Sequence, residues 1–263
     1  MNNPQELFTL NARNLDIGYH AETIVANINF TLSKGQSLAL IGTNGSGKST
    51  LLKTLVGLLP PVKGELTVLG QDPIRGSRQM AYLSQFHASG FILPLRAVDV
   101  VRMGRYADNG LLGKLTSVDE DMIVDSMKRM GIASLADKPL RALSGGQQQR
   151  VYIAQVLARH AEVLILDEPA AGLDAGAREI YQQALRDELC RGASVVVATH
   201  DIQEALDCDL SMLLAKKVIA FGRGVEVISP QALLETFGIT ISLGQQSLGV
   251  AVVEREHGHE HSC

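Results

Sequence analysis

Near the start of the chain, apolar and polar residues alternate with a period of two. Residues 7–15 and 24–32 follow that rhythm, which predicts two half-buried strands. Residues 37–41 (SLALI) form a nearly unbroken apolar run, the mark of a strand covered on both faces. Shorter strands are expected at 64–70, bracketed by glycines, and at 80–84. From about 94 to 157 the apolar spacing becomes helical, as in Val118-Asp119-Glu120-Asp121-Met122-Ile123-Val124, so this stretch reads as a helical insertion. Runs at 163–166 and 194–198 predict further buried strands, separated by a helix over 176–189. Residues 212–215 and 218–221 resemble a terminal strand pair around Lys216-Lys217. Strands that alternate with helices indicate an α/β fold with a mostly parallel sheet and helices on its faces. No internal repeat is visible, and periodicity fades beyond about Gly238.

Composition narrows the class. A chain of 263 residues holds one large domain, or a domain with a subdomain, and 46% apolar residues support a sizeable core. Charged residues make up 20% and the net charge is −4, which argues against broad nucleic-acid binding. No apolar run approaches membrane-spanning length. The stretch Met1-Asn2-Asn3-Pro4 lacks the basic-then-apolar pattern of a secretory signal. Cys190, Cys208 and Cys263 are far apart and odd in number, which fits a reducing cytosol rather than a disulfide framework. Cys190 and Cys208 read as small buried or half-buried residues.

The candidate chemistry begins at Gly42-Thr43-Asn44-Gly45-Ser46-Gly47-Lys48-Ser49, a full match to the phosphate-binding pattern G-x-x-x-x-G-K-[ST]. The glycines let backbone N–H groups curl around a polyphosphate. Lys48 can reach the β- and γ-phosphates, and the Ser49 hydroxyl can ligate Mg²⁺. The helix expected from Thr50 onward presents its N-terminus to the anion. A second signal is Leu143-Ser144-Gly145-Gly146-Gln147, in which Ser144 suits an N-cap. It precedes Val163-Leu164-Ile165-Leu166-Asp167-Glu168, a strand that delivers two carboxylates to the sheet's carboxyl edge. Asp167 suits the Mg²⁺ shell, and Glu168 suits orienting and polarising an attacking water.

Together these motifs resemble the nucleotide-binding subunit of ATP-binding-cassette (ABC) transporters over roughly residues 7–235. The resemblance implies a P-loop NTPase core, mostly parallel sheet with an antiparallel β subdomain, and an inserted helical subdomain. It implies an ABC ATPase domain over 7–237, the helical subdomain at about 94–157, and a C-terminal extension over 238–263. It also implies ATP and Mg²⁺ as cofactors. Tyr19 sits where the family stacks an aromatic on adenine. Gln85 sits where the family places a glutamine at the Mg²⁺ and at the hinge to the helical subdomain. Residues 143–147 match the signature sequence, and Gly172-Leu173-Asp174 match the loop that crosses to a partner subunit. His200 matches the histidine that contacts the γ-phosphate. Ala170-Ala171 depart from the larger or hydroxylated residues common at those positions, and nothing beyond Gly238 has a family counterpart.

The resemblance implies a homodimer that sandwiches two ATP molecules head to tail, each phosphate loop closed by the other chain's signature residues. With no span of its own, such a subunit would act at the cytoplasmic face of the inner membrane. It would energise a separate permease, fed by an extracytoplasmic metal-binding protein. Residues 86–95 sit where the family receives the permease, and charge reversal at Arg102 or Arg105 is expected to weaken that docking. The stretch Asp99-Val100-Val101-Arg102-Met103-Gly104-Arg105-Tyr106 resembles importers of metal ions and metal chelates. Val218-Ile219-Ala220-Phe221-Gly222 looks like the manganese/zinc/iron branch. At the end of the chain, His257, His259, His261 and Cys263 fall on one face if extended, a donor set suited to zinc. The expectation is an ATPase for uptake of a divalent transition metal, zinc or manganese foremost. An importer of siderophore, haem or cobalamin is the alternative within the class. A soluble ABC ATPase of DNA repair or translation would need coiled-coil inserts or a second cassette. A non-catalytic nucleotide sensor is disfavoured by Glu168 and His200.

Overall fold

The computed structural model describes residues 8–20, 22–85, 95–109, 113–238, 241–243 and 250–252. Along the chain come β1 (Leu10–Tyr19), β2 (Glu22–Leu32), β3 (Ser37–Ile41), α1 (Lys48–Leu55), β4 (Lys63–Val68), the short α2 (Pro73–Gly76) and β5 (Met80–Leu83). Three helices follow: α3 (Ala97–Asn109), α4 (Ser117–Arg129) and α5 (Gly145–Ala158). Strands then alternate with helices through β6 (Val163–Asp167), α6 (Ala175–Cys190), β7 (Ser194–Thr199), α7 (Ile202–Leu206), β8 (Leu210–Leu214) and β9 (Val218–Gly222). The segment ends in α8 (Gly224–Val227) and α9 (Pro230–Phe237). Beyond it, β10 (Ile241–Leu243) and β11 (Val250–Val252) pair antiparallel, where the hydrophobic pattern leads to no strand expectation.

Six strands form one sheet in the order β5-β6-β7-β3-β8-β9. Every neighbouring pair is parallel except β8 with β9. The order β2-β1-β4 makes a separate antiparallel sheet. The expected α/β core with an antiparallel subdomain is therefore what the chain forms, and α3, α4 and α5 lie between β5 and β6 in sequence. All five residues of β3 are buried, and they serve two cores. Leu38 and Leu40 pack with β1, β2 and α1, whereas Ala39 and Ile41 pack with α5, α6 and the inserted helices. In β6, Val163 and Ile165 join the first core, and Leu164 and Leu166 join the second. A strand buried on both faces cannot show polar alternation, which is why these runs read as continuous.

The structure corrects three expectations. Strand β1 continues to Tyr19, past the expected end at Leu15, and irregularities in its pairing between Ala12 and Ile17 break the period-two pattern that would have shown it. Asn14 takes a left-handed conformation (φ 46°), and its N–H donates to Asn29 Oδ1 at 2.8 Å. Cys190, the last residue of α6, is exposed rather than buried, while Cys208 is half-buried. Arg105 is not a free docking charge. Its Nε donates to Asp119 Oδ1 at 2.8 Å, both side chains are largely covered, and Nη1 donates to Arg159 O at 3.1 Å. Asp119 also accepts from the Thr116 N–H at 2.8 Å and its hydroxyl at 2.7 Å. Those bonds to Thr116, with Arg105 beside them, hold the Asp119 carboxyl well below the usual carboxylate range. Arg102, by contrast, makes a more open pair with Glu120 at 3.0 Å.

Candidate nucleotide-binding site

Strand β3 feeds residues 42–49, and two glycines in that loop are dictated by space. Gly47 has φ 111°, and a Cβ there would lie 2.5 Å from Val25 Cγ2. A Cβ on Gly42 would lie 2.2 Å from the Leu214 carbonyl oxygen. Thr43, Asn44 and Gly45 are exposed at the crest, whereas Ser46, Lys48 and Thr50 are buried. The turn after β8 supports the loop from below, with the Lys216 N–H donating to Ser46 O at 3.0 Å. Lys48 is 6% exposed, and its ammonium donates to Gly42 O at 2.6 Å and Thr43 O at 3.1 Å. Burial pulls its pKa down, and the nearby Glu168 and Asp167 carboxylates oppose that pull.

Asp167 closes β6 with 3% exposure, and its Oδ1 has no hydrogen-bond partner. Burial pushes its pKa up against the Ser49 hydroxyl, which favours the charged form. Glu168 then turns out of the strand in a left-handed conformation (φ 50°), fixed by its N–H donating to Ala198 O at 3.0 Å. Its carboxylate meets two side chains from neighbouring strands. Gln85 Nε2, just past β5, donates to Glu168 Oε2 at 3.4 Å. His200 Nδ1, just past β7, lies 4.0 Å from the same oxygen. Adjacent strands β5, β6 and β7 thus bring Gln85, Asp167, Glu168 and His200 to one sheet edge.

The helix α5 starts with a capping box. Ser144 Oγ accepts the Gln147 N–H at 3.3 Å, and the Ser144 N–H donates to Gln147 Oε1 at 3.0 Å. Gly145 opens into free space, and a Cβ on Gly146 would lie 3.0 Å from Gly172 O. The signature residues therefore abut the loop that follows Glu168. Gln149, in the Gln148-Gln149-Arg150 stretch that follows the signature residues, adds a contact whose partner the sequence does not name. It is 5% exposed and donates to Pro169 O at 2.8 Å. Within its run of three glutamines only the helix register decides which one faces inward. Asp174 caps α6, accepting the Ala177 N–H at 2.8 Å. Tyr19 ends β1 at 39% exposure beside a cleft of about 420 Å³, whose other wall runs over Leu59, Pro60, Pro61 and Val62. That cleft's lining contains no phosphate-loop residue. Most of residues 86–95, and His257, His259, His261 and Cys263, lie outside the described residues.

A polyphosphate with a divalent cation fits this arrangement. An unpartnered buried carboxylate oxygen on Asp167, with the Ser49 hydroxyl beside it, is a hard-oxygen donor set of the kind Mg²⁺ takes. Lys48 and the start of α1 offer an ammonium and helix N-terminal amides to an anion. Residues 25–171 match the family model described as ABC transporter. The chain belongs to the ABC transporter family. This ABC ATPase is 34% identical over 233 residues to the manganese transport system ATP-binding protein MntB of Bacillus subtilis, covering 88% of this chain and 93% of that one. It is 31% identical to the zinc transport system ATP-binding protein TroB of Treponema pallidum, covering 89% of each. Among solved structures, it resembles a chain of an ABC transporter assigned to the metal-chelate type, in an inward-facing conformation. The TM-score is 0.78 and the identity 28%, over 94% of this chain and 97% of that one. Among the described residues of the ABC chain, no helix is long and apolar enough to cross a membrane.

Proposed function

We propose that the chain is the ATP-hydrolysing subunit that energises a membrane permease for uptake of a divalent transition metal, manganese or zinc. The observation that carries the catalytic part is the convergence of Gln85 and His200 on the Glu168 carboxylate, beside buried Lys48 and Asp167. In this reading the amides of residues 42–50 and the Lys48 ammonium hold the β- and γ-phosphates. Ser49, Asp167 and Gln85 would hold Mg²⁺, which would supply positive charge to offset that of the phosphates. Glu168 orients and polarises the attacking water, and His200 contacts the γ-phosphate. Tyr19 stacks on the adenine.

The second anion site comes from a twin. Gly145, Gly146 and the Ser144-capped start of α5 present backbone amides at a helix N-terminus with open space in front of Gly145. A head-to-tail homodimer would bring them against the partner's ATP, with Asp174 near the crossing. The pair would sit at the cytoplasmic face of the membrane, joined to a permease and served by an extracytoplasmic metal-binding protein. Relatives named for manganese and zinc transport support the cargo, and the likeness to a chelate-type transporter keeps chelate uptake as the second reading. From sequence alone, His257, His259, His261 and Cys263 form a zinc-responsive tail.

The test is Glu168→Gln. Turnover is expected to fall about 10²–10³-fold while ATP-dependent dimerisation survives. Undiminished turnover would reassign the water-handling role. Co-expression with a candidate metal-ion or metal-chelate permease, followed by uptake of radioactive Mn²⁺, Zn²⁺ or a labelled ferric chelate, separates the two cargo readings.

A further inference from the structure

The turn that carries His200 is fastened to α6 at two points. Asp201, beside His200, caps α7 by accepting the Gln203 N–H at 2.9 Å, and it pairs with Arg178 Nη1 at 2.7 Å. Three residues further along both helices, Tyr181 Oη donates to Glu204 Oε1 at 2.9 Å. Arg178 and Tyr181 are one turn apart on α6 and so share a face, as do Asp201 and Glu204 at the start of α7. On the other side of His200, Thr199 Oγ1 accepts the Asp201 N–H at 3.0 Å.

Glu204 is an expensive residue for plain packing. It is 8% exposed and Tyr181 is fully buried. Burial raises the pKa of both, and the Thr199 hydroxyl opposes that rise at Glu204. Glu204 Oε2 has no hydrogen-bond partner. The carboxyl borders a cavity of about 70 Å³ whose wall mixes Leu185, Leu189 and Val195 with Gln182, Arg186 and Asp207. An apolar side chain there would fill space without a desolvation cost. A largely buried carboxyl bonded to a buried tyrosine points to a task beyond filling volume. The rod it grips begins at Asp174, six residues after Glu168.

We propose that Tyr181 and Glu204 are positioning residues for His200, holding its turn so that the imidazole keeps its station opposite Glu168. The proposal rests on the reading of His200 as the γ-phosphate contact. Through α6 it links the Asp174 loop, where a twin chain would approach, to the histidine that senses the phosphate.

The test compares full-length Tyr181→Phe, Glu204→Ala, Glu204→Gln and His200→Ala, each alone, and Tyr181→Phe combined with His200→Ala. Steady-state ATPase kinetics and thermal melting are measured for every variant. Tyr181→Phe and Glu204→Ala are expected to lower kcat about tenfold with the KM for ATP changed less than about twofold. Glu204→Gln keeps the shape and the acceptor for Tyr181, so it is expected to restore most of the rate. In the double variant, Tyr181→Phe is expected to add nothing to the loss caused by His200→Ala, because it acts through that residue. Tyr181→Phe with a lower melting point but unchanged kcat overturns the proposal and leaves the reading of His200 intact. A Tyr181→Phe loss that multiplies with that of His200→Ala also overturns it. Full turnover in His200→Ala overturns both the proposal and the reading beneath it.

Discussion

Gly47→Ala tests whether the phosphate loop is shaped by its contact with the antiparallel sheet. The new methyl meets two obstacles. The backbone at φ 111° is unfavourable for any residue with a Cβ, at a cost of about 1–2 kcal/mol. The methyl also falls 2.5 Å from Val25 Cγ2, where ordinary contact begins at 3.4 Å. Val25 is fully buried in β2 and β-branched, so it has no free rotamer to retreat into. Overpacking of this kind costs about 1–3 kcal/mol. The expected destabilisation is therefore about 2–5 kcal/mol by urea unfolding of the nucleotide-free protein, with ATP affinity reduced at least about tenfold as the loop amides shift. Val25→Ala removes the obstructing methyl and on its own costs about 1.5–3 kcal/mol. Combined, the two substitutions should be less damaging than their sum by about 1–3 kcal/mol, because the second relieves the clash made by the first. Strict additivity, or Gly47→Ala within about 0.5 kcal/mol of the parent with unchanged ATP affinity, would refute the account of the loop.

Three further outcomes follow from the same geometry. Because burial raises the folded pKa of Asp167 above its ordinary 3.8, the folded state holds that proton more tightly than the unfolded chain, and the ionised group lowers stability as pH rises above about 4. Asp167→Asn should then leave the nucleotide-free protein at least as stable as the parent at pH 7, with the difference shrinking as pH falls toward 4, while Mg²⁺-dependent ATP binding is lost; melting curves across pH check the sign. Arg105→Glu should lower the melting midpoint by roughly 10 °C because it sets a second covered carboxylate against Asp119, whereas Arg102→Glu, in an open pair, should shift it by less than about 2 °C and is the cleaner probe of permease docking. Truncation after Arg255 should abolish any inhibition of ATPase by micromolar zinc, and inhibition that persists would remove the tail from regulation.

Local chemistry was the legible part of this protein. The loop at 42–49 carries its phosphate-binding pattern in consecutive residues, and strand runs such as 163–166 announce both their burial and where the carboxylates after them emerge. What stayed hidden depends on partners distant in sequence. Glu188 lies in the helix expected over 176–189, yet nothing in its sequence neighbourhood shows that it is 2% exposed and takes Arg129 Nη1 at 2.7 Å along with Arg191. Arg105 reads as surface charge, but its carboxylate lies on the next helix. Tyr181 and Glu204 meet across 23 residues, and neither has a neighbour in sequence to betray the other. Asp174 matches a family loop and also performs a task visible in any helix, capping α6. The end of β1 was missed for a different reason: bulged pairing slips the inward face by one residue, so a reader counting alternation stops at Leu15 while the strand goes on.

The backbone at position 168 is held under strain. A left-handed φ of 50° suits glycine or asparagine and penalises glutamate by on the order of 1 kcal/mol. On the proposed reading of Glu168, that strain is tolerated for the sake of a water-handling carboxylate at this turn, and Glu168→Gly is expected to raise the melting midpoint while turnover falls.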